Sequence, residues 1–247
     1  LSKIVERTLD FLELFADEKR PLSLSEISKL LDIPVSSCHD VLQALQDRGY
    51  LYEIAPRAGY YPTVRLLDIA KIIADNDPVV IRAEIVLRAL RDAVDESVLL
   101  SKTSGTTATY LLSFEPSHPL RFTVNIGQRV RSLYATSAGK AQLASLDKSD
   151  FDAFLKSAKL VALTPNTITS KAALRDDIEK SRRRGWFANR EESQKGVVTL
   201  SASFVWNAAT YIVTIAGPSS RLSSRMDLAA AKLVEACAKL EMRSPGN

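Results

Sequence analysis

The chain has 247 residues, 46% of them hydrophobic and 25% charged; this suits two domains of ordinary size and excludes a disordered or coiled-coil polypeptide. Its apolar runs, such as 97–101 and 208–216, fall far short of the roughly 18 residues that cross a bilayer, so a soluble protein without a membrane partner is expected. The net charge of +4 is unevenly spread: residues 1–65 hold eight basic and ten acidic side chains, so any DNA contact there needs a local basic face rather than a basic average.

Ile4, Leu9, Leu12, Leu14 and Phe15 recur at roughly three- and four-residue spacing and predict an amphipathic first helix that stops before Pro21. Ser23 is placed to cap a second helix, since Glu26 three residues on completes a capping box and Ile27, Leu30 and Leu31 line the apolar side. Asp32, Ile33 and Pro34 connect tightly to a third helix over 36–48, with Cys38, Val41, Leu42 and Leu45 inward and Gly49 ending it. Its outward residues are Ser36, Ser37, His39, Asp40, Gln43 and Gln46. Short aromatic strands at 50–52 and 60–61 flank a loop holding Pro56, Arg57 and Gly59. Three helices and a small hairpin are the order of a winged helix-turn-helix. A linker helix over 66–74 ends near Asn76, Asp77 and Pro78, dividing the chain into 1–65, a linker at 66–77 and a second domain at 78–247.

The second domain mixes helices and strands. A helix at 79–94 precedes strands at 97–102 and 107–114 around the turn Thr103-Ser104-Gly105-Thr106, and a further strand is predicted at 121–125. Helices follow at 137–146 and, strongly charged, at 171–184 before Gly185; strands at 186–189, 197–204 and 210–216 lead to a closing helix at 224–242. Antiparallel strands in hairpin order with helices at both ends indicate an α+β domain.

Several runs stand out together. In the first domain they are Pro21-Leu22-Ser23-Leu24-Ser25-Glu26-Ile27, Ile33-Pro34-Val35-Ser36-Ser37-Cys38-His39 and Arg48-Gly49-Tyr50-Leu51. In the second they are Ser117-His118-Pro119-Leu120-Arg121, Ala135-Thr136-Ser137-Ala138-Gly139-Lys140-Ala141, Leu163-Thr164-Pro165-Asn166-Thr167-Ile168-Thr169 and Ala216-Gly217-Pro218. In this order they resemble the IclR family of bacterial transcription regulators, and the resemblance spans nearly the whole chain. It implies an N-terminal winged helix-turn-helix domain, a linker helix and a C-terminal GAF-like effector domain with an antiparallel sheet. It also implies a repressor whose binding to double-stranded operator DNA answers to a small organic-acid or aromatic metabolite, in a homodimer that can pair into a tetramer.

A recognition helix reads base edges from the major groove while its neighbours anchor on phosphate. Ser36, Ser37, His39 and Gln43 are the candidate readers, and Lys29 and Arg57 the candidate backbone contacts. Val35 and Asp40 stand where the family often carries basic residues. Asp40 repels phosphate yet can accept a bond from a cytosine amino group, so altered operator preference is expected. The family pattern also places Leu120, Thr123, Ser137, Ala138, Asn189, Thr199, Thr214 and Ala216 around the effector. Asn189 stands where relatives often have an acid, Thr199 where a cysteine can occur and Ala216 where a serine can occur. That wall is neutral, suiting a carboxylate, keto acid or aromatic acid held by N–H groups, hydroxyls and an amide. The small residues at 135–139 fit either a ligand approaching free helix N–H groups or close packing of the helix.

Cys38, Cys237, His39 and His118 lack metal-ligand spacing, so neither a metal nor another cofactor is expected, and no secretion signal opposes a cytoplasmic location. An enzyme is disfavoured: G-x-S-x-G is absent, and Gly139-Lys140 lacks the earlier glycine and following hydroxyl of a phosphate loop. A third reading is a ligand sensor whose DNA-reading head has degenerated at Val35 and Asp40.

Overall fold

The computed structural model describes residues 3–55 and 58–241. Two units, Leu1–Asn76 and Asp77–Asn247, each make their contacts mainly within themselves.

In the first unit α1 (Lys3–Glu18), α2 (Leu24–Leu31) and α3 (Val35–Asp47) precede a hairpin of β1 (Leu51–Glu53) and β2 (Tyr60–Pro62), then α4 (Arg65–Asp75). The capping box at α2 is complete: the Ser23 hydroxyl accepts from the Glu26 N–H, and the Glu26 carboxylate accepts from the Ser23 N–H. Asp32 closes that helix in the left-handed region at φ 53°, which turns the chain into α3. Phe11, Phe15, Leu22, Ile27, Cys38, Leu42, Leu45 and Leu51 form the core. The apolar side expected for α1 is only partly correct, because Phe11 and Phe15 are the buried residues while Ile4 and Leu9 are exposed. Leu30 of α2 is likewise exposed. Leu22 adds a bridge to Tyr60, and Gly59 permits it: a Cβ there would meet the Leu22 carbonyl carbon at 2.9 Å. None of the residues of α4 is buried, and Leu67, Ile72 and Ile73 stand exposed along it.

The second unit opens with α5 (Pro78–Val94), whose N-cap Asp77 accepts from the Val79 N–H. It continues through β3 (Ser97–Ser104), β4 (Thr107–Phe114), α6 (Ser137–Ser145), α7 (Lys148–Ser157), α8 (Lys171–Arg184), β5 (Phe187–Arg190), β6 (Val197–Trp206) and β7 (Ala209–Pro218). A short α9 (Ser219–Leu222) and a 3₁₀ turn lead into α10 (Met226–Glu241). The five strands form an antiparallel sheet in the order β4-β3-β7-β6-β5.

Side chains alternate across this sheet, so its faces bury different chemistry. On one face Val98, Leu100, Val198, Leu200, Val213 and Ile215 pack with α5 and α10 residues such as Leu87 and Leu233. The opposite face of β6 and β7 carries Thr199, Ser201 and Thr214, buried although polar. Beside them lies a second apolar core built from α6, α7 and α8, including Ala141, Phe151, Leu174 and Ile178.

Residues 121–125 form no strand, contrary to expectation. The edge of β4 is occupied slightly later in the chain: Tyr110 N donates to Gln128 O, Val130 N donates to Ala108 O, and Thr109 bridges Arg129. The Phe122 carbonyl instead accepts from the Ser97 hydroxyl at 2.6 Å. Helix α7 occupies a stretch for which the sequence suggested no element; it buries Phe151 and Leu155 and is capped by Asp147.

Candidate functional site

On α3 the spacing does the sorting. Cys38, Leu42 and Leu45 point inward, whereas Ser36, His39, Asp40 and Gln43 are exposed at the i, i+3, i+4, i+7 positions of one face. Ser37, grouped with them from sequence, is half-buried beside that face. The Asp40 side chain is 85% exposed and lies 4.0 Å from His39 Nδ1. The Gln43 amide donates to Asp47 Oδ1 at 2.8 Å, which orients it along the helix. Lys29 is exposed on α2, and Arg57 lies outside the described residues. Burial raises the Cys38 thiol pKa, and the charge of Arg7 on α1 opposes that shift.

In the second unit five buried polar residues converge where α6 meets the sheet. The Ser137 hydroxyl lies 2.6 Å from Thr199 Oγ1 and 2.7 Å from Ser201 Oγ, and Ser201 lies 2.8 Å from Thr214 Oγ1. Asn189 is oriented by its surroundings: Oδ1 accepts from the Glu192 and Ser193 N–H groups at 2.6 and 3.3 Å. Its amide nitrogen therefore faces Ser193 Oγ at 3.0 Å and Thr199 Oγ1 at 3.4 Å. Ser137, Asn189, Ser193, Thr199 and Thr214 border a cavity of about 30 Å³, lined also by Leu99, Tyr110, Phe122, Thr136, Ala138 and Val197, while Ser201 stands behind it, bonded to Ser137 and Thr214. Among the described residues, those lining it include no lysine, arginine or carboxylate. Burial pushes the Tyr110 phenol pKa up, so this titratable wall residue stays neutral at ordinary pH.

Of the residues that the family pattern places around the effector, Ser137, Ala138, Asn189, Thr199 and Thr214 line this one cavity. Leu120 and Thr123 do not reach it; they line an outer groove of about 380 Å³ with Arg121, Lys195 and Pro218. Phe122 and Val197 border both spaces. Ala216 lies within the sheet, opposite Ser97 and Thr199 in register, and lines neither space. Tyr110, Phe122 and Ser193 at the cavity, and Ser201 behind it, were missed because their convergence depends on strand register and loop course.

Two glycines of the expected motifs have packing reasons. A Cβ on Gly139 would lie 2.2 Å from Ser132 O, so α6 sits directly against backbone there. A Cβ on Gly217 would lie 2.4 Å from Glu96 Oε2. That buried carboxylate accepts two 2.7 Å bonds from Arg221, which also donates to Leu120 O at 3.0 Å and secures the rim of the groove. At the start of α6 the Thr136 hydroxyl caps the Gly139 N–H. The amides of Ser137 and Ala138, also in the first turn, have no acceptor within the helix.

Residues 4–54 match the family model of the IclR helix-turn-helix domain, and residues 72–240 match that of the bacterial transcriptional regulator IclR C-terminal domain. The chain belongs to the IclR family. Among IclR relatives, the chain is 26% identical over 223 residues to the transcriptional regulator XynR of Escherichia coli, covering 90% of this chain and 87% of that protein. It is 24% identical over 240 residues to the transcriptional repressor AllR of the same species, covering 96% and 88%. An IclR homolog of Microbacterium hydrocarbonoxydans, solved in complex with 4-hydroxybenzoate, shares the fold with a TM-score of 0.76 at 18% identity over 97% and 98% of the two chains. The IclR relatives are transcription regulators rather than enzymes, and this chain is accordingly a DNA-binding transcriptional regulator. Among the described residues no helix is long and apolar enough to cross a membrane.

Proposed function

We propose that the chain is a cytoplasmic repressor in which residues 1–65 grip operator DNA, 66–77 link, and a GAF-like domain over 78–247 holds a small organic acid that controls the grip. Ser36, Ser37, His39, Asp40 and Gln43 read bases, with Lys29 and Arg57 on the phosphates. The exposed apolar residues Leu67, Ile72 and Ile73 on α4 support a homodimer, and pairing of dimers into a tetramer extends the same reading.

The observation that carries the effector assignment is the set of buried polar residues Ser137, Thr199, Thr214 and Asn189 around a cavity at a helix start, with Ser201 bonding Ser137 and Thr214 from behind. Its volume of about 30 Å³ exceeds the roughly 10–15 Å³ that a single water requires, which leaves room for a small polar head group such as a carboxylate or keto group. The N–H groups of Ser137 and Ala138, which have no acceptor within the helix, favour negative charge, and the hydroxyls and the Asn189 amide supply further bonds. The body of the ligand then lies in the outer groove beside Leu120, Phe122, Thr123 and Pro218, which suits an aromatic or short aliphatic acid. The 4-hydroxybenzoate held by the Microbacterium homolog is a ligand of this chemical kind.

The test combines gel-shift titration on the DNA upstream of the protein's own gene with calorimetry against keto and aromatic acids. Sequence-selective binding weakened by one of the acids is expected. Ala138→Leu, which fills the small cavity, is expected to leave DNA affinity within about twofold and to weaken acid binding at least tenfold, a loss of about 1.4 kcal/mol. Tight binding of cationic ligands alone overturns the effector class, and indifference to DNA favours a ligand sensor with an inactive reading head.

A further inference from the structure

Lys140 has none of its surface exposed, and its ammonium donates to two acceptors and forms an ion pair with a further carboxylate. Nζ lies 3.0 Å from Ala188 O, 2.8 Å from Glu192 Oε1 and 2.9 Å from Asp177 Oδ2. A fully desolvated ammonium persists only when it is paired in this way. The partners come from β5, from the loop after it and from α8.

The position of these partners in the chain gives the arrangement its meaning. Lys140 stands in the first turns of α6, just beyond the cavity-lining Ser137 and Ala138. Ala188 immediately precedes Asn189, and Glu192 immediately precedes Ser193, the residues that form the facing wall. The loop is held from two other directions, because Asn189 Oδ1 accepts the Glu192 N–H and the Thr167 hydroxyl donates to Glu192 O at 2.6 Å. Lys140 is absent from the cavity lining, so its influence on a ligand passes through these neighbours.

We infer that Lys140 is a positioning residue for the effector cavity: by drawing the Ala188 carbonyl and the Glu192 carboxylate onto α6, it sets the gap between the Ser137–Ala138 wall and the Asn189–Ser193 wall, and with it the size of head group admitted. The size selection rests on the cavity's proposed role in binding an acid, whereas the bracing of the two walls does not.

Hydrogen–deuterium exchange on the full ligand-free chain tests the brace. Lys140→Met is expected to speed exchange about tenfold in both 137–141 and 189–196 while β7 and α10 keep their protection. Asp177→Asn, which alters a partner outside both walls, is expected to change them less than threefold. If Lys140→Met fails to fold, Glu192→Ala cuts the same tie and is expected to release the same two segments together. Unchanged exchange in either segment, loosening throughout the unit, or an equal effect of Asp177→Asn overturns the inference. Thermal shift against formate, acetate, pyruvate and benzoate reads the consequence: the preferred size should move upward in the loosened variant, and an unaltered order of preference removes the claim of size selection. A wild-type chain that binds none of these acids counts against the proposed effector class, while the exchange data still decide the brace.

Discussion

Glu26 serves the start of the second helix through both carboxylate oxygens. Oε2 accepts from the Ser23 N–H and from the Ser23 hydroxyl at 2.8 Å each, and Oε1 takes Arg20 at 2.7 Å. The Ser23 backbone bond is the largest cause, followed by the Arg20 bond, in lowering its pKa from an ordinary 4.5 to about 2. A folded-state pKa depressed in this way contributes stability that is fully present above the unfolded value and is lost as pH falls through the folded one. The start of α2 is therefore expected to weaken between about pH 4.5 and 2 rather than near neutrality. An NMR titration following the Glu26 side-chain carboxyl should give a midpoint of about 2 in place of 4.5, and Ser23→Ala, which removes the hydroxyl bond but keeps the backbone one, should raise it only partway. A midpoint near 4.5 in the unmodified chain would show that the capping box does not hold in solution.

At the scale of elements, α6 is seated by what Gly139 lacks. Its backbone is helical rather than left-handed, so substitution there meets no torsional strain, only atoms: Ser132 O at 2.2 Å and Leu133 Cα at 2.4 Å from an added Cβ. Gly139→Ala is expected to cost about 1–3 kcal/mol, the range for overpacking, and to shift Ser137 and Ala138 away from Thr199. Urea unfolding with a calorimetric titration checks both effects, and a stability within 0.5 kcal/mol of wild type, roughly the scatter of neutral surface changes, would refute the close contact. The small-residue run was readable from sequence as either ligand approach or packing; the structure gives Gly139 to packing and leaves Ser137 and Ala138 at the cavity. Signals that act within a few residues were legible, among them the Ser23 and Glu26 box, the Gly185 cap of α8 and the Gly105 turn between β3 and β4. The strand expected at 121–125 failed because Phe122 and Val124 alternate as a strand does, whereas the partner edge of β4 is taken by residues around Arg129. No local pattern encodes that competition. The lining residues Tyr110, Phe122 and Ser193 were hidden for the same reason, since each reaches the cavity through tertiary placement rather than spacing along the chain.

At the scale of the whole molecule, the first 65 residues carry a small excess of acid although their task is to hold a polyanion, so binding depends on which charges the exposed face of α3 presents. On that face Ser36, His39 and Gln43 are available for base edges, and Asp40 sets an open carboxylate among them. Near phosphate this charge opposes association and gains only where its oxygen meets a cytosine amino group. Asp40→Asn keeps the shape and removes the charge. It is expected to raise affinity for non-operator DNA by about three- to tenfold at 50 mM salt, and by less at 200 mM as screening shortens the reach of the lost repulsion. Operator affinity should rise less than this, because any bond to cytosine is lost together with the repulsion; the ratio of specific to non-specific binding should therefore fall. Gel-shift titrations of both chains on operator and scrambled DNA at the two salt concentrations measure all four quantities. Equal gains on the two DNAs would mean that Asp40 merely repels, and a loss on scrambled DNA would remove α3 from the phosphates altogether.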